Sequence, residues 1–261
     1  MTNAVAAVLV FLAAAPAFAQ DEHVGARVRE WYAKMDGDIK STGGSLGGTS
    51  INLASDLSLD SSQWNTEVQV YGHIPFFGKI YAGWWMIDRH GDEILSRTIT
   101  FAGQSFTAST EVKSDVRLDV GYLTYEFDFP SIPVGDLLKW ELGLQVGARV
   151  IRGEGKVDSV FASGSDSGTI GIPVIGGHAA VQITPFLRAD VELVGLEFSY
   201  SGHRGHYLEA YGEIVGQPLP WVFAGVGYKY VSLGVKAHLS STDFDLDTHI
   251  TGLYVTAGVR F

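Results

Sequence analysis

Two groups of residues in this 261-residue chain have types and spacing that chemistry can use. Ser201 and His203 stand two apart, and Glu197 precedes them at an even spacing, so on an extended backbone all three share one face. A base-activated serine hydroxyl asks for such neighbours. Same-face neighbours along a strand are about 6–7 Å apart, however, so a direct hydrogen bond requires distortion. The second group is Asp243, Asp245, Asp247 and His249, again at period two, with His203 and His206 in the preceding segment. Carboxylates spaced in this way suit a hard cation such as Ca²⁺, although a solvated acidic edge is the commoner use of such a ladder. His73, His90, His178 and His238 are scattered and show no metal-ligand spacing. Residues 47–57 are glycine-rich at their start, but no Lys-Ser/Thr pair follows, so they do not read as a phosphate cradle. Their Ile51, Leu53 and Leu57 read instead as an apolar lid or a patch for a partner. No residue is assigned a catalytic role, and no cofactor or metal is expected.

The elements that carry these residues alternate. Leu142, Leu144, Val146, Ala148 and Val150 are interleaved with Gly143, Gln145, Gly147 and Arg149. Val116, Leu118, Val120 and Tyr122 are interleaved with Asp115, Arg117, Asp119 and Gly121, and Ala189, Val191 and Leu193 with Arg188, Asp190 and Glu192. Strand side chains point to opposite faces at period two, so each segment has one apolar and one charged face. About ten such strands are expected, near 27–40, 65–75, 79–88, 112–129, 139–157, 171–184, 187–200, 205–215, 221–234 and 248–261. Residues 93–110 are read as an excursion from the sheet; if they cross it, the count rises to twelve. Connections alternate between short turns, at 75–78, 184–186 and 216–220, and longer polar stretches, at 41–63, 90–114, 159–168, 199–205 and 234–247.

Composition agrees with strands and tight turns: 32 glycines and 12% aromatic residues. The absence of cysteine excludes disulfides and thiolate metal sites. A net charge of −11, from 18 basic and 29 acidic residues, argues against nucleic acid as a partner. Residues 4–19 are an unbroken apolar run closed by Ala17-Phe18-Ala19, which reads as a cleaved export signal spanning 1–19 and leaves one domain over 20–261. The run is short of the ~20 residues a membrane helix needs, and Asp21 and Glu22 follow it. Trp31, Tyr32, Phe76, Phe77, Trp84, Trp85, Phe127, Phe129, Trp140, Phe186, Trp221, Phe223 and Phe261 fall near strand ends, as an interfacial aromatic girdle does.

An export signal, alternating strands and a last strand ending in Phe261 resemble the bacterial outer-membrane β-barrel superfamily. The resemblance covers nearly all of residues 20–261 but rests on generic features. It implies a closed, all-β, antiparallel transmembrane barrel of about ten strands, between eight and twelve, with short periplasmic turns and long extracellular loops. It also implies that Tyr254, Val259 and Phe261 address the chain to the barrel-assembly machinery, and that outer-membrane lipid and lipopolysaccharide surround the wall. The polar faces would line the lumen, with Glu67, Gln69, Asp115, Arg117, Asp119, Glu141, Gln145, Arg149, Arg188, Asp190, Glu192, Glu209, Glu213 and Lys229 inside. An interior of that size can be filled by paired side chains, so the expected protein is a plugged, non-enzymatic barrel serving structure, adhesion or docking of a surface partner. The acidic excess keeps a narrow cation-preferring pore open as an alternative. A hydrolase acting on lipid A or surface peptides is a second alternative.

Overall fold

The computed structural model describes residues 24–43, 48–59, 62–74, 78–134, 138–200, 203–239 and 242–261. The export signal lies outside them. Ten long strands make the fold: β1 (Val24–Gly43), β2 (Ser62–Ile74), β3 (Gly78–Ile94), β4 (Glu111–Asp128), β5 (Leu138–Ser159), β6 (Ser163–Thr184), β7 (Leu187–Tyr200), β8 (His203–Leu219), β9 (Val222–Leu239) and β10 (Thr242–Arg260). Each pairs antiparallel with the next, and β10 returns to β1, from Gly25 opposite Arg260 to Gly43 opposite Thr242. The sheet is therefore a closed up-and-down barrel, in which every strand has two partners. Residues 93–110 do not cross it: Ile99–Phe101 and Gln104–Phe106 form a separate small hairpin above β3 and β4.

The strands run further than the spacing of polar residues predicts. β5 and β6 are 22 residues each and meet at residues 160–162, so most of the stretch at 159–168 is strand rather than loop. Likewise β9 continues to Leu239 and β10 begins at Thr242. The long connections that remain are at 44–61 and 95–110.

Side-chain facing keeps its period of two along the long strands, but the polarity of the two faces inverts. Near the rim holding Val24 and Phe261, outward positions are apolar: Leu142, Leu144, Val146 and Val150 on β5, and Leu253 and Val255 on β10. The inward ones there are polar, including Gln145 and Arg149. Towards the other rim, β5 turns Arg152, Glu154, Lys156 and Asp158 outward and Ile151 and Val157 inward. The lower barrel thus has the inside-out polarity that lipid demands, and the upper barrel the apolar interior of a water-soluble protein.

Aromatic rings inside the lower lumen lie on glycines of adjacent strands. A Cβ on Gly83 would come within 2.4 Å of the Tyr122 ring, and one on Gly227 within 2.4 Å of Tyr254 Cζ and 2.6 Å of the Gly212 carbonyl oxygen. Gly227→Ala is therefore expected to displace the Tyr254 ring and cost about 1–3 kcal/mol through overpacking. Gly153→Ala, which meets nothing within 4 Å, is the control. Urea unfolding of the two refolded variants in vesicles checks the difference.

Candidate functional site

The lower lumen holds one continuous chain of alternating charge. Arg27 reaches Glu213 at 2.7 Å, and Glu213 lies 3.8 Å from Arg29. Arg29 donates to Glu67 at 2.8 Å, and Glu67 accepts from Lys229 at 2.8 Å. Lys229 also meets Glu209 at 2.7 Å, and Glu209 pairs with Arg149 at 3.2 Å. Aromatic rings cover the cations. Arg29 lies 4.6 and 5.4 Å from the Tyr211 and Tyr254 ring centres, Arg149 4.8 and 5.9 Å from Tyr122 and Tyr207, and Lys229 5.2 Å from both Trp31 and Trp85. Tyr122 and Tyr254 also donate their hydroxyls to Glu67 and Glu213. Pairing, hydrogen bonds and ring faces together offset the cost of withdrawing these charges from water.

A second chain of charges crosses the lumen nearer the rim that holds Val24 and Phe261. It runs Glu141, Arg188, Asp190, His178, Glu126, Lys79 and Asp128, with successive contacts of 2.7, 2.8, 3.1, 3.4, 3.7 and 3.6 Å. Gln145 joins it to the centre by donating to Glu126 at 2.6 Å and Glu192 at 2.9 Å. A void of about 10 Å³ lies among Arg29, Glu67, Tyr122, Arg149 and Glu209, room for about one water. A recess of about 90 Å³ opens at the rim beside Arg27, Lys79, Arg188 and Arg260.

Above the charges the interior is mainly apolar, although Arg89 is buried there and donates to the Ala33 carbonyl at 2.9 Å and to the Gln63 and Asn65 side chains at 3.1 and 3.3 Å. Trp31 and Trp85 meet edge to face at 5.8 Å, and over them pack Ile87, Val116, Leu118, Val120, Ile151, Leu233 and Ile250. Ile51, Leu53 and Leu57 fold into this layer with Leu95, Phe101 and Phe106, all almost fully buried. The lid expected from residues 47–57 is thus present from residue 48 onward, and it seals the barrel with the hairpin above β3 and β4.

A clasp holds the two cap segments together. Arg97 donates two bonds to Asp56, at 3.2 and 2.6 Å, and a third to the Ser50 carbonyl at 2.8 Å. The hydrogen bonds from Arg97 hold the Asp56 carboxyl below the ordinary aspartate range. A lowered folded-state value means stability that is present above the unfolded value and lost as pH falls through the folded one. Amide protection factors over residues 51–59, taken relative to the intrinsic exchange rate at each pH, are therefore expected to fall as pH drops below about 4, and Asp56→Asn to abolish that pH dependence.

The structure brings Glu67, Gln69, Glu141, Gln145, Arg149, Arg188, Asp190, Glu192, Glu209, Glu213 and Lys229 together in the lumen. It does not bring Asp115, Arg117 or Asp119 there. Arg117 and Asp119 pair with each other at 2.9 Å on the outer wall, beside Asp115 and His90. The correction follows from the inversion: at this height the lumen is apolar, so Val116, Leu118 and Val120 take the inward positions. For the same reason Trp31 and Trp85 are not girdle residues but lumen residues, and Phe223 also faces inward. Sequence reasoning missed Arg27, Arg29, Glu126 and the tyrosine cages; Arg27 and Arg29 do alternate with Ala26 and Val28 before Glu30 breaks the pattern, whereas Glu126 is hidden between Tyr125 and Phe127.

The two candidate groups fall partly outside the described residues. Ser201 and the side chains of His203 and Asp243 lie outside those described. Asp245 pairs with Lys236 at 2.9 Å, and Asp247 stands 3.9 Å from His249. Among the described residues, no cluster of three or more metal-binding side chains is present. His206 does meet Ser232, at 3.1 Å, but Ser232 is buried and no ion pair orients His206 among those residues.

Fold and lumen define a closed ten-stranded antiparallel barrel with an apolar outer belt and a filled interior. No protein-family model and no curated protein matches the chain. Solved structures similar to it include Ail, the attachment invasion locus protein of Yersinia pestis, in complex with the heparin analogue sucrose octasulfate. That match has 13% identity over 92% of this chain and 99% of that one, with a TM-score of 0.38. The outer membrane protease OmpT from Escherichia coli matches at 9% identity over 95% and 99%, with a TM-score of 0.44. The Pseudomonas putida toluene transporter TodX matches at 8% over 94% and 91%, with a TM-score of 0.33.

Proposed function

We propose that this protein is an integral outer-membrane β-barrel whose lumen is a scaffold, and whose work is non-enzymatic: structure, adhesion or docking of a surface partner through the upper barrel. In this reading both ends of the described chain lie at the periplasmic rim. Tyr254, Val259 and Phe261 serve the barrel-assembly machinery, and lipid and lipopolysaccharide surround the belt. The observation that carries it is the double filling of the interior, with paired charges below and a sealed apolar layer above. A cation-preferring pore needs a wetted path through both, and the buried Trp31, Trp85, Ile87 and Val120 stand across it. The surface left for partners is the upper wall, where the β5–β6 hairpin ends in Val160 and Phe161, 89% and 90% exposed.

Single-channel recording of the refolded barrel in a planar bilayer tests the reading. A silent, heat-modifiable barrel is the expected result. Steady openings with cation preference, reduced by neutralising Glu141 or Glu209, would overturn it in favour of the pore.

A further inference from the structure

Between the aromatic levels of the wall, the outward side chains of the described strands are apolar, small or hydroxylated, with one exception. β1 presents Val24, Ala26 and Val28, then Glu30, then Tyr32 at the upper boundary. Arg29 and Trp31 on either side are fully inward, which fixes Glu30 on the lipid-facing side. One step below the boundary, a lipid-facing carboxylate costs little, and its neighbour in the leaflet is a headgroup rather than an acyl chain. Glu30 accepts a hydrogen bond from the Thr66 hydroxyl of β2 at 2.9 Å, and its carboxylate has capacity for more acceptor contacts. One step above, about 6–7 Å along the strand, stand the rings of Tyr32 and Trp64. Their centres are 5.3 Å apart, both are about half exposed, and the Tyr32 hydroxyl meets Ser62 at 3.2 Å. Below lies a low surface of Ala26, Val28, Val68 and Gly72.

We infer that this spot is a binding site for a glycosylated amphiphile of the surrounding leaflet. Its sugar hydroxyls donate to Glu30, the apolar face of the ring stacks on Trp64, and an acyl chain runs down over Val28 and Val68. A carboxylate here repels phosphate but accepts from hydroxyl groups, and an exposed aromatic platform beside it offers the flat apolar surface that a sugar ring's C–H face covers. The inference rests on the reading that the belt lies in a bilayer.

The test is photolabelling of the refolded barrel in phosphatidylcholine vesicles with two probes carrying the same diazirine chain, one an alkyl glucoside and one the parent fatty alcohol. The glucoside is expected to label peptides around Ala26, Val28 and Val68 several-fold more than Leu144 and Val146 on the far wall. The fatty alcohol is expected to label the whole belt evenly. Glu30→Leu and Trp64→Leu, both replacing lipid-facing groups with an apolar one, should return the glucoside to the even pattern. Equal patterns for both probes, or an unchanged pattern in Glu30→Leu, would overturn the site while leaving the membrane reading intact. A belt labelled by neither probe would overturn both.

Discussion

Replacing Lys229 with alanine is expected to destabilise the folded barrel by about 3–5 kcal/mol, the usual consequence of removing one partner from a buried ion pair. The ammonium is 1% exposed and lies between Glu67 and Glu209, at 2.8 and 2.7 Å. Without it, the two carboxylates face each other across a space that water enters poorly, with only Arg29 and Arg149 to compensate at their far oxygens. Truncation also removes the cation from between Trp31 and Trp85, an attraction of about 2 kcal/mol when desolvated. Urea titration of the refolded protein in vesicles reads the loss. Lys229→Met, which restores the apolar volume but not the charge, should recover only a minor part of it, because Glu67 and Glu209 still lack the cation between them. A Lys229→Ala barrel within about 0.5 kcal/mol of wild type would mean that the lumen is wet enough to screen its charges.

Trp85→Ala is the second large effect, expected at about 3–5 kcal/mol. Trp85 is 1% exposed, stands at 84° to the Trp31 ring and closes the apolar layer from below. Its neighbour Trp84 points to the opposite side and is 41% exposed, so Trp84→Ala should cost less than half as much. The variant should remain electrically silent, since the cap built on Leu53, Leu57, Phe101 and Phe106 still lies above the new cavity. Because Trp85 touches Lys229, the Lys229→Ala/Trp85→Ala double variant should lose less than the sum of the two.

Strand number, closure and the lid were legible in the sequence, because alternation and turn spacing are local signals. The strands' lengths and facing were less so. The charged set on each strand was read as the lumen throughout, which holds for Arg149 and Glu209 but fails for Arg117 and Asp119. The signal that separates them is a slip in the phase of the alternation, where two apolar residues stand side by side: Trp31-Tyr32, Trp84-Trp85, Tyr122-Leu123 and Val150-Ile151. At each, the apolar set passes from the outer face to the inner one, which locates the upper edge of the apolar outer belt. The ion-pair chain was not legible. Glu67 and Lys229 are 162 residues apart, and which charges meet depends on the register of a closed sheet.

The pairing of β10 with β1 has a consequence for biogenesis. The two strands stand at opposite ends of the described residues, so the cylinder is complete only when everything from β1 to β10 is present. A chain truncated before Thr242 is not a smaller cylinder but an open sheet with two unsatisfied borders, and such borders invite pairing with other chains. The same truncation leaves Arg29 and Glu213 without the Tyr254 ring and hydroxyl that cover them. On the membrane reading, an unclosed sheet would therefore strand both bare backbone and uncovered charge in hydrocarbon, so β1 has to stay unpaired on that side until β10 docks.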